Sequence, residues 1–150
     1  MKLSRILVAF DGSEISIRAL RMSLEMGRAL DADIHAVYVV KTADFMRFSG
    51  HAGPFEKSDR ITQLISEHMA KEGMVREREI AAIAAEYSMP VRIHKKIGDP
   101  REEILELART IHADLIVIGS RGQGGLKKVL LGSVSSFIVQ NSQISTVIVR

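Results

Sequence analysis

Two hydrophobic rhythms alternate along this chain, and their order predicts its elements. Ile6-Leu7-Val8-Ala9-Phe10 and Leu115-Ile116-Val117-Ile118 are short β-branched and aliphatic runs, the mark of buried strands, and Thr146-Val147-Ile148-Val149 is a further β-branched run. Between them, apolar residues recur at helical spacing. Ile17, Leu20, Leu24 and Gly27 predict an amphipathic helix, opened by the turn Asp11-Gly12-Ser13 with Ser13 as its N-cap. Asp31 to Val40 predicts a second strand through Ile34, Val37, Val39 and Val40. Phe55 to Tyr87 predicts a long helix with two apolar stripes, Ile61, Leu64, Ile65 and Met69, then Ile80, Ile83, Ala84 and Tyr87. Gly73 between the stripes costs about 1 kcal/mol of helix propensity relative to Ala, which marks a weak point or bend. The run Arg76-Glu77-Arg78-Glu79 reads as a solvated face of that helix.

Val91 to Ile97 alternates, with Val91 and Ile93 set against Arg92 and His94, as an edge-like strand does. Gly98-Asp99-Pro100 follows as a turn in which Asp99 caps a helix and Pro100 takes its first position. Glu102 and Glu103 suit the dipole there, and Ile104, Ala108 and Ile111 give the buried stripe. Ala113 to Ile118 is a fourth strand, Ser133 to about Asn141 a last helix, and Thr146 to Val149 a fifth strand. The order β-α-β-α-β-α-β-α-β predicts one α/β domain over residues 1–150, a parallel sheet with helices on both faces and right-handed crossovers. Such sheets bind ligands at the carboxyl ends of their strands, where the strand order reverses. Asp11, the Val39 neighbourhood and Gly119 all fall on that edge. Lys41 to Pro54 has no clear period, and a loop of that length is often a lid, an interface or a mobile segment.

Composition narrows the class without naming it. A chain of 150 residues is one domain's worth, with 46% hydrophobic and 26% charged residues. It has no cysteine, which excludes disulfides, thiol chemistry and a cysteine metal site. Neither His51 nor His68 has the partner spacing of a metal ligand. No apolar run approaches a membrane span, and the N-terminus reads as a strand, not a signal peptide; the expected compartment is the cytoplasm. Net charge is +3, but Lys and Arg are interleaved with acids and no Trp is present, so nucleic acid is not an expected partner.

The candidate chemistry lies in LIVIGSRGQGGLKKVLLGSVSS, residues 115–136. A strand feeds a glycine-rich turn carrying Arg121, and Gly132-Ser133 then opens a helix with Ser133, Ser135 and Ser136 at its start. Converging backbone N–H groups, glycines that allow close approach and a helix N-terminus are what phosphate groups need. An ordinary glycine-rich connection with a serine cap has the same composition. Asp11 likewise has two readings, a ligand-facing carboxylate or a turn residue.

The spacing goes further. Gly119-x-x-Gly122, nine residues, then Gly132-Ser133 is G-2x-G-9x-G-[S/T], which resembles the nucleotide-binding signature of the ATP-binding branch of the universal stress protein family. RILVAFDGSE, IGDPREEIL and TVIVR resemble its other strand ends, so the likeness spans essentially the whole chain. The resemblance implies a Rossmann-like domain of the adenine nucleotide alpha hydrolase type, with strand order 3-2-1-4-5. It implies a homodimer through the last strand, 145–150. By position, Asp11 contacts ribose or base, and Ala9 and Val39 line the adenine pocket. Gly119, Ser120, Arg121, Gly122, Gln123, Gly124 and Gly125, with Gly132, Ser133, Val134 and Ser135, hold ribose and phosphates. Arg121 occupies a variable position of the motif, and Ala9 stands where some members carry Pro.

Three functional classes are weighed. The first is a regulatory stress-response protein that binds ATP, with or without Mg²⁺, and turns it over slowly or not at all. The second is a slow ATPase or nucleotidyl transferase; the third is a nucleotide-free dimeric scaffold. The Walker pattern is missing, a HIGH-type histidine pair is missing, and Gly122-Gln123-Gly124 runs on to Lys127 where the dinucleotide fingerprint needs Gly. No catalytic residue and no resident metal are expected. Binding without efficient turnover is the preferred expectation, and the intact glycine pattern counts against the scaffold.

Overall fold

The computed structural model describes residues 2–41, 59–123 and 130–150. The expectations for Met1, for the 42–58 segment including His51, and for Gly124 and Gly125 lie outside them. The described elements are β1 (Arg5–Ala9), α1 (Glu14–Leu30), β2 (Asp33–Lys41), α2 (Asp59–Glu86), β3 (Val91–Gly98), α3 (Pro100–Thr110), β4 (Leu115–Gly119), α4 (Ser133–Asn141) and β5 (Ser145–Val149). The five strands form one parallel sheet in the order β3-β2-β1-β4-β5. Chain order reverses between β1 and β4, so a crevice opens at their carboxyl ends.

Strand alternation divides the core into two layers. Ile6, Val8, Ile34, Leu115 and Val117 face α1 and α2, meeting Leu20, Leu24, Ile80 and Ile83. Leu7, Val37 and Ile116 point the other way, onto Ile104, Leu107 and Ala108 of α3 and Ile138 of α4. Both faces of β1 and β4 are therefore covered, which is why those strands are unbroken apolar runs. The caps form as their chemistry dictates. Ser13 Oγ accepts from Ser16 N at 3.2 Å, and Asp99 Oδ1 accepts from Arg101 N at 2.9 Å.

Two strand starts differ from expectation for identifiable reasons. Asp31 is the left-handed C-cap of α1 (φ 54°), so β2 begins at Asp33. Asp114 sits before β4 because its carboxylate accepts from Ser4 N and Arg5 N at 2.7 and 2.9 Å, pinning the opposite edge of the sheet. Helix α2 continues through Gly73 without a break. A Cβ at Gly73 would lie 2.9 Å from Tyr38 Oη, so this glycine lets the helix approach β2 closely. The charged run that follows is only partly a solvated face. Glu77 Oε1 accepts from Tyr38 Oη at 2.8 Å, and Arg76 lies over Gly12 while donating to Glu79 at 2.8 Å.

His35 and His94 meet across β2 and β3 on the α3 side. His35 Nδ1 and His94 Nε2 are 2.9 Å apart and share one proton, with the rings stacked at 5.1 Å and 10°. His35 is 4% exposed, and its Nε2 has no partner among the described residues. Burial holds both imidazoles below their usual pKa; for His35 the nearby His94, Arg92 and Arg5 add to this against Asp33, and for His94 Lys96 and Arg92 add to it. The native state thus binds fewer protons than the unfolded chain. The pair's contribution is complete above the unfolded value, near 6.5, and is lost as pH falls from there toward the native values. The urea midpoint is expected to drop between pH 7 and pH 5, and His35→Gln with His94→Gln is expected to flatten that slope. An equal slope in the double variant would refute this role.

Candidate functional site

A cavity of about 290 Å³ lies at the carboxyl edge of the sheet. It exists because neighbouring strands stop at different heights. β1 pairs with β2 as far as Ala9 opposite Val37, and Phe10 N still donates to Val37 O at 2.8 Å. The chain then turns away at Asp11-Gly12-Ser13, where Gly12 takes the left-handed φ of 82° that favours glycine. β2 runs on to Lys41. In a parallel ladder, residues two apart present their N–H and C=O to the same side, so Val39 aims both into the gap that β1 leaves. No backbone bond to either group is seen among the described residues.

Ala9, Val37, Val39, Ile104 and Ile118 give the cavity an apolar lining. Of the expected site residues, Ala9, Asp11, Val39, Gly119, Arg121, Gly122, Gln123, Gly132, Ser133, Val134 and Ser135 border it. Ser120 does not. It is 1% exposed, its N–H donates to Val149 O at 2.6 Å, and its carbonyl accepts from Gly132 N at 2.7 Å. Its role is to tie the loop to β5. Sequence reasoning missed Phe10, Ser16, Val37, Lys41, Pro100, Ile104 and Ile118. Val37 and Lys41 flank Val39 at strand period, a usable signal; the others arrive only through the fold.

Asp11 joins the β1–α1 turn to the glycine loop. Its Oδ1 accepts from Ser13 N and its Oδ2 from Gln123 N, both at 2.9 Å. Burial alone would raise its pKa, but the hydrogen bonds from Ser13, Gln123 and Ser16 outweigh that and hold the carboxyl below its usual value. Asp11 is therefore a turn residue that also borders the cavity. Gly122 permits this contact, since a Cβ there would stand 2.7 Å from Asp11 Oδ2. Gly119 is needed for packing, its Cβ position being 2.6 Å from Ile15 Cγ2. At Gly132 the nearest atom is Arg121 Cα at 3.5 Å, so the surrounding protein leaves room for a methyl group.

The far wall is the start of α4. Its N-cap Gly132 makes no side-chain capping bond, and its first turn holds no acid. Ser135 Oγ donates to Ser120 O at 2.9 Å, so that hydroxyl braces the helix and its serine cluster is not all turned to the cavity. The amides of Ser133, Val134 and Ser135 have no intrahelical acceptor, as in any first turn. Orphaned donors plus the helix dipole make this wall suited to an anion. Among the described residues, no group of three or more His, Asp or Glu is placed to hold a metal ion.

The sequence profile of the universal stress protein family matches residues 2–150. Universal stress protein MJ0531 of Methanocaldococcus jannaschii is 32% identical over 146 residues, which span 97% of this chain and 81% of that protein. Among solved structures, that of hypothetical protein MJ0577 has a TM-score of 0.81 at 22% identity and covers 99% of this chain and 96% of its own. A universal stress protein in complex with cAMP has a TM-score of 0.67 at 21% identity, covering 100% and 98%. One from Archaeoglobus fulgidus in complex with dAMP has a TM-score of 0.67 at 18% identity, covering 100% of both.

Proposed function

This chain belongs to the universal stress protein family, and from that premise we propose that its cavity holds an adenine nucleotide, ATP, in a regulatory stress-response role without efficient turnover. The observation that carries this reading is the meeting of three chemistries in one cavity. Val39 offers a donor and an acceptor that no described residue pairs, above an apolar lining, the match for the edge and face of adenine. Asp11 offers a carboxylate to ribose hydroxyls. The first-turn amides of α4, with the described part of the glycine loop from Gly119 to Gln123, offer N–H groups to phosphates. The complexes of related structures with cAMP and dAMP support adenine as the base.

Slow turnover follows from what borders the phosphates. Transfer needs a positioned water and charge stabilisation beyond a cradle of amides. The charged side chains among the described lining residues are Asp11, Lys41 and Arg121, and Asp11 already accepts from two amides. Mg²⁺, if it enters, would come with the nucleotide. The working assembly on this reading is a homodimer paired through β5, which is an edge strand of the sheet among the described residues. The working compartment is the cytoplasm; no helix among the described residues is long and apolar enough to cross a membrane.

Calorimetric titration of the native protein with ATP, with and without Mg²⁺, is expected to give saturable binding of one nucleotide per subunit. Light scattering of the same sample is expected to report a dimer at micromolar concentration. Phosphate release should stay below about 1 s⁻¹, the lower end of ordinary enzyme turnover. Absent binding defeats the reading, and faster release turns it into an enzyme.

A further inference from the structure

One charged residue of the cavity has no part in the base, ribose and amide contacts above. Lys41 is the last residue of β2, opposite Gly98 of β3 in the ladder. It lies two residues beyond Val39, about 6.6 Å along the strand, and projects from the same face of the sheet. Its side chain borders the cavity and also an adjoining groove of about 360 Å³. Pro100, Ser133 and Val134 border both as well, so Lys41 stands at their junction, beside the first turn of α4.

The other charges at the groove are matched to each other. Asp99 accepts from the Arg101 backbone N at 2.9 Å, from its Nε at 3.0 and 3.1 Å and from its Nη2 at 2.5 Å. Lys41 feels the Asp99 carboxylate only at longer range, and among the described residues it closes no ion pair within 4 Å. Across the junction, Ser133 and Val134 present first-turn amides in a helix start with no acid and no side-chain cap. An anion seated between those amides and the Lys41 ammonium meets donors from two elements. Within the described cavity lining the acid is Asp11 and the cations are Lys41 and Arg121. Taking Lys41 away leaves one acid against one cation, a poor match for three or four phosphate charges.

We propose that Lys41 sets the phosphate count of the ligand, its ammonium bonding the outer phosphate of a nucleoside di- or triphosphate that reaches the groove. This rests on the adenine-nucleotide reading and adds a selection to it. A monophosphate ends before the junction and gains nothing from Lys41. A lysine suits the task, since its three rotatable donors follow a mobile terminal phosphate without demanding one geometry. The junction is open to solvent, so the selection weakens as salt rises.

The test is calorimetric titration of the native protein, Lys41→Gln and Lys41→Arg with ATP, ADP and AMP at low and at high salt. Lys41→Gln is expected to weaken ATP about fivefold at low salt, the scale of one charge-assisted contact at a solvated site. ADP should weaken by a comparable factor and AMP by less than twofold, while Lys41→Arg stays within about twofold of the native protein for all three. A Lys41→Gln protein that loses ATP and AMP affinity equally, or loses neither, overturns the proposal and leaves the nucleotide reading standing. A native protein that binds none of the three defeats both.

Discussion

Gly122→Val is expected to reduce adenine-nucleotide affinity at least about a hundredfold, roughly 2.7 kcal/mol, while the protein still unfolds cooperatively. The new Cβ would begin 2.7 Å from Asp11 Oδ2, closer than real contacts allow, so one of the two must move. Asp11 cannot yield cheaply. Its Oδ2 holds Gln123 N at 2.9 Å and its Oδ1 holds Ser13 N, so moving it releases both the glycine loop and the α1 turn. The valine methyls would then occupy space in the cavity that the proposed nucleotide needs. The two residues meet at the cavity and bury no core side chain, so the cost falls on binding more than on stability. Gly132→Ala is the control. Its nearest protein neighbours stand at 3.5, 3.6 and 3.8 Å, so the folded chain accepts the methyl. Calorimetry beside circular-dichroism melting separates the outcomes; unchanged affinity in a folded Gly122→Val protein would remove the loop from the site.

Most of the fold could be read from the sequence because parallel strands declare themselves. Ile6 to Phe10 and Leu115 to Ile118 are continuous apolar runs since helices cover both faces of those strands. The caps Ser13 and Asp99 were readable because a side-chain acceptor followed by a helical pattern has few other uses. Element starts were less readable. Asp31 and Asp114 are polar residues beside strands, and only their own geometry tells that one turns left-handed and the other clasps the N-terminal backbone.

The site divides in the same way. Gly122 follows from spacing, and the structure supplies its reason in Asp11. Ser120 and Ser135 carry the same polar side chain as Ser133, yet their groups bond to one another, to Gly132 and to Val149. No pattern of residue types distinguishes a serine that faces a ligand from one that braces a helix. Gly73 was misleading for the opposite reason. Propensity weighs what a glycine costs its own helix, whereas the contact with Tyr38 belongs to a strand more than thirty residues away. The His35–His94 pair is wholly a product of register, since it needs β3 beside β2 with Val37 opposite His94.

Asp11→Ala is expected to weaken ATP binding by about 1–3 kcal/mol, the scale of lost hydrogen bonds to a charged group, or about 5- to 150-fold. Two losses combine in it. On the proposed reading ribose hydroxyls lose their acceptor, and the Gln123 amide loses the partner that fixes the near end of the glycine loop. Asp11→Asn separates a need for charge from a need for shape. An asparagine has one acceptor oxygen where the native residue uses two, so either Ser13 N or Gln123 N must face an NH₂ group. Asn is therefore expected to bind ATP nearly as poorly as Ala. The hydrogen bonds hold this carboxyl below its usual pKa, so it stays ionised through the neutral range. Its part in binding should be constant from pH 8 down to pH 5 and vanish only in stronger acid, as pH falls through the native value. Titrations of the native, Ala and Asn proteins at pH 5, 6.5 and 8 check each step. If Asn restores native affinity, or if Ala binds as well as the native protein, Asp11 serves only the turn that Gly12 and Ser13 complete.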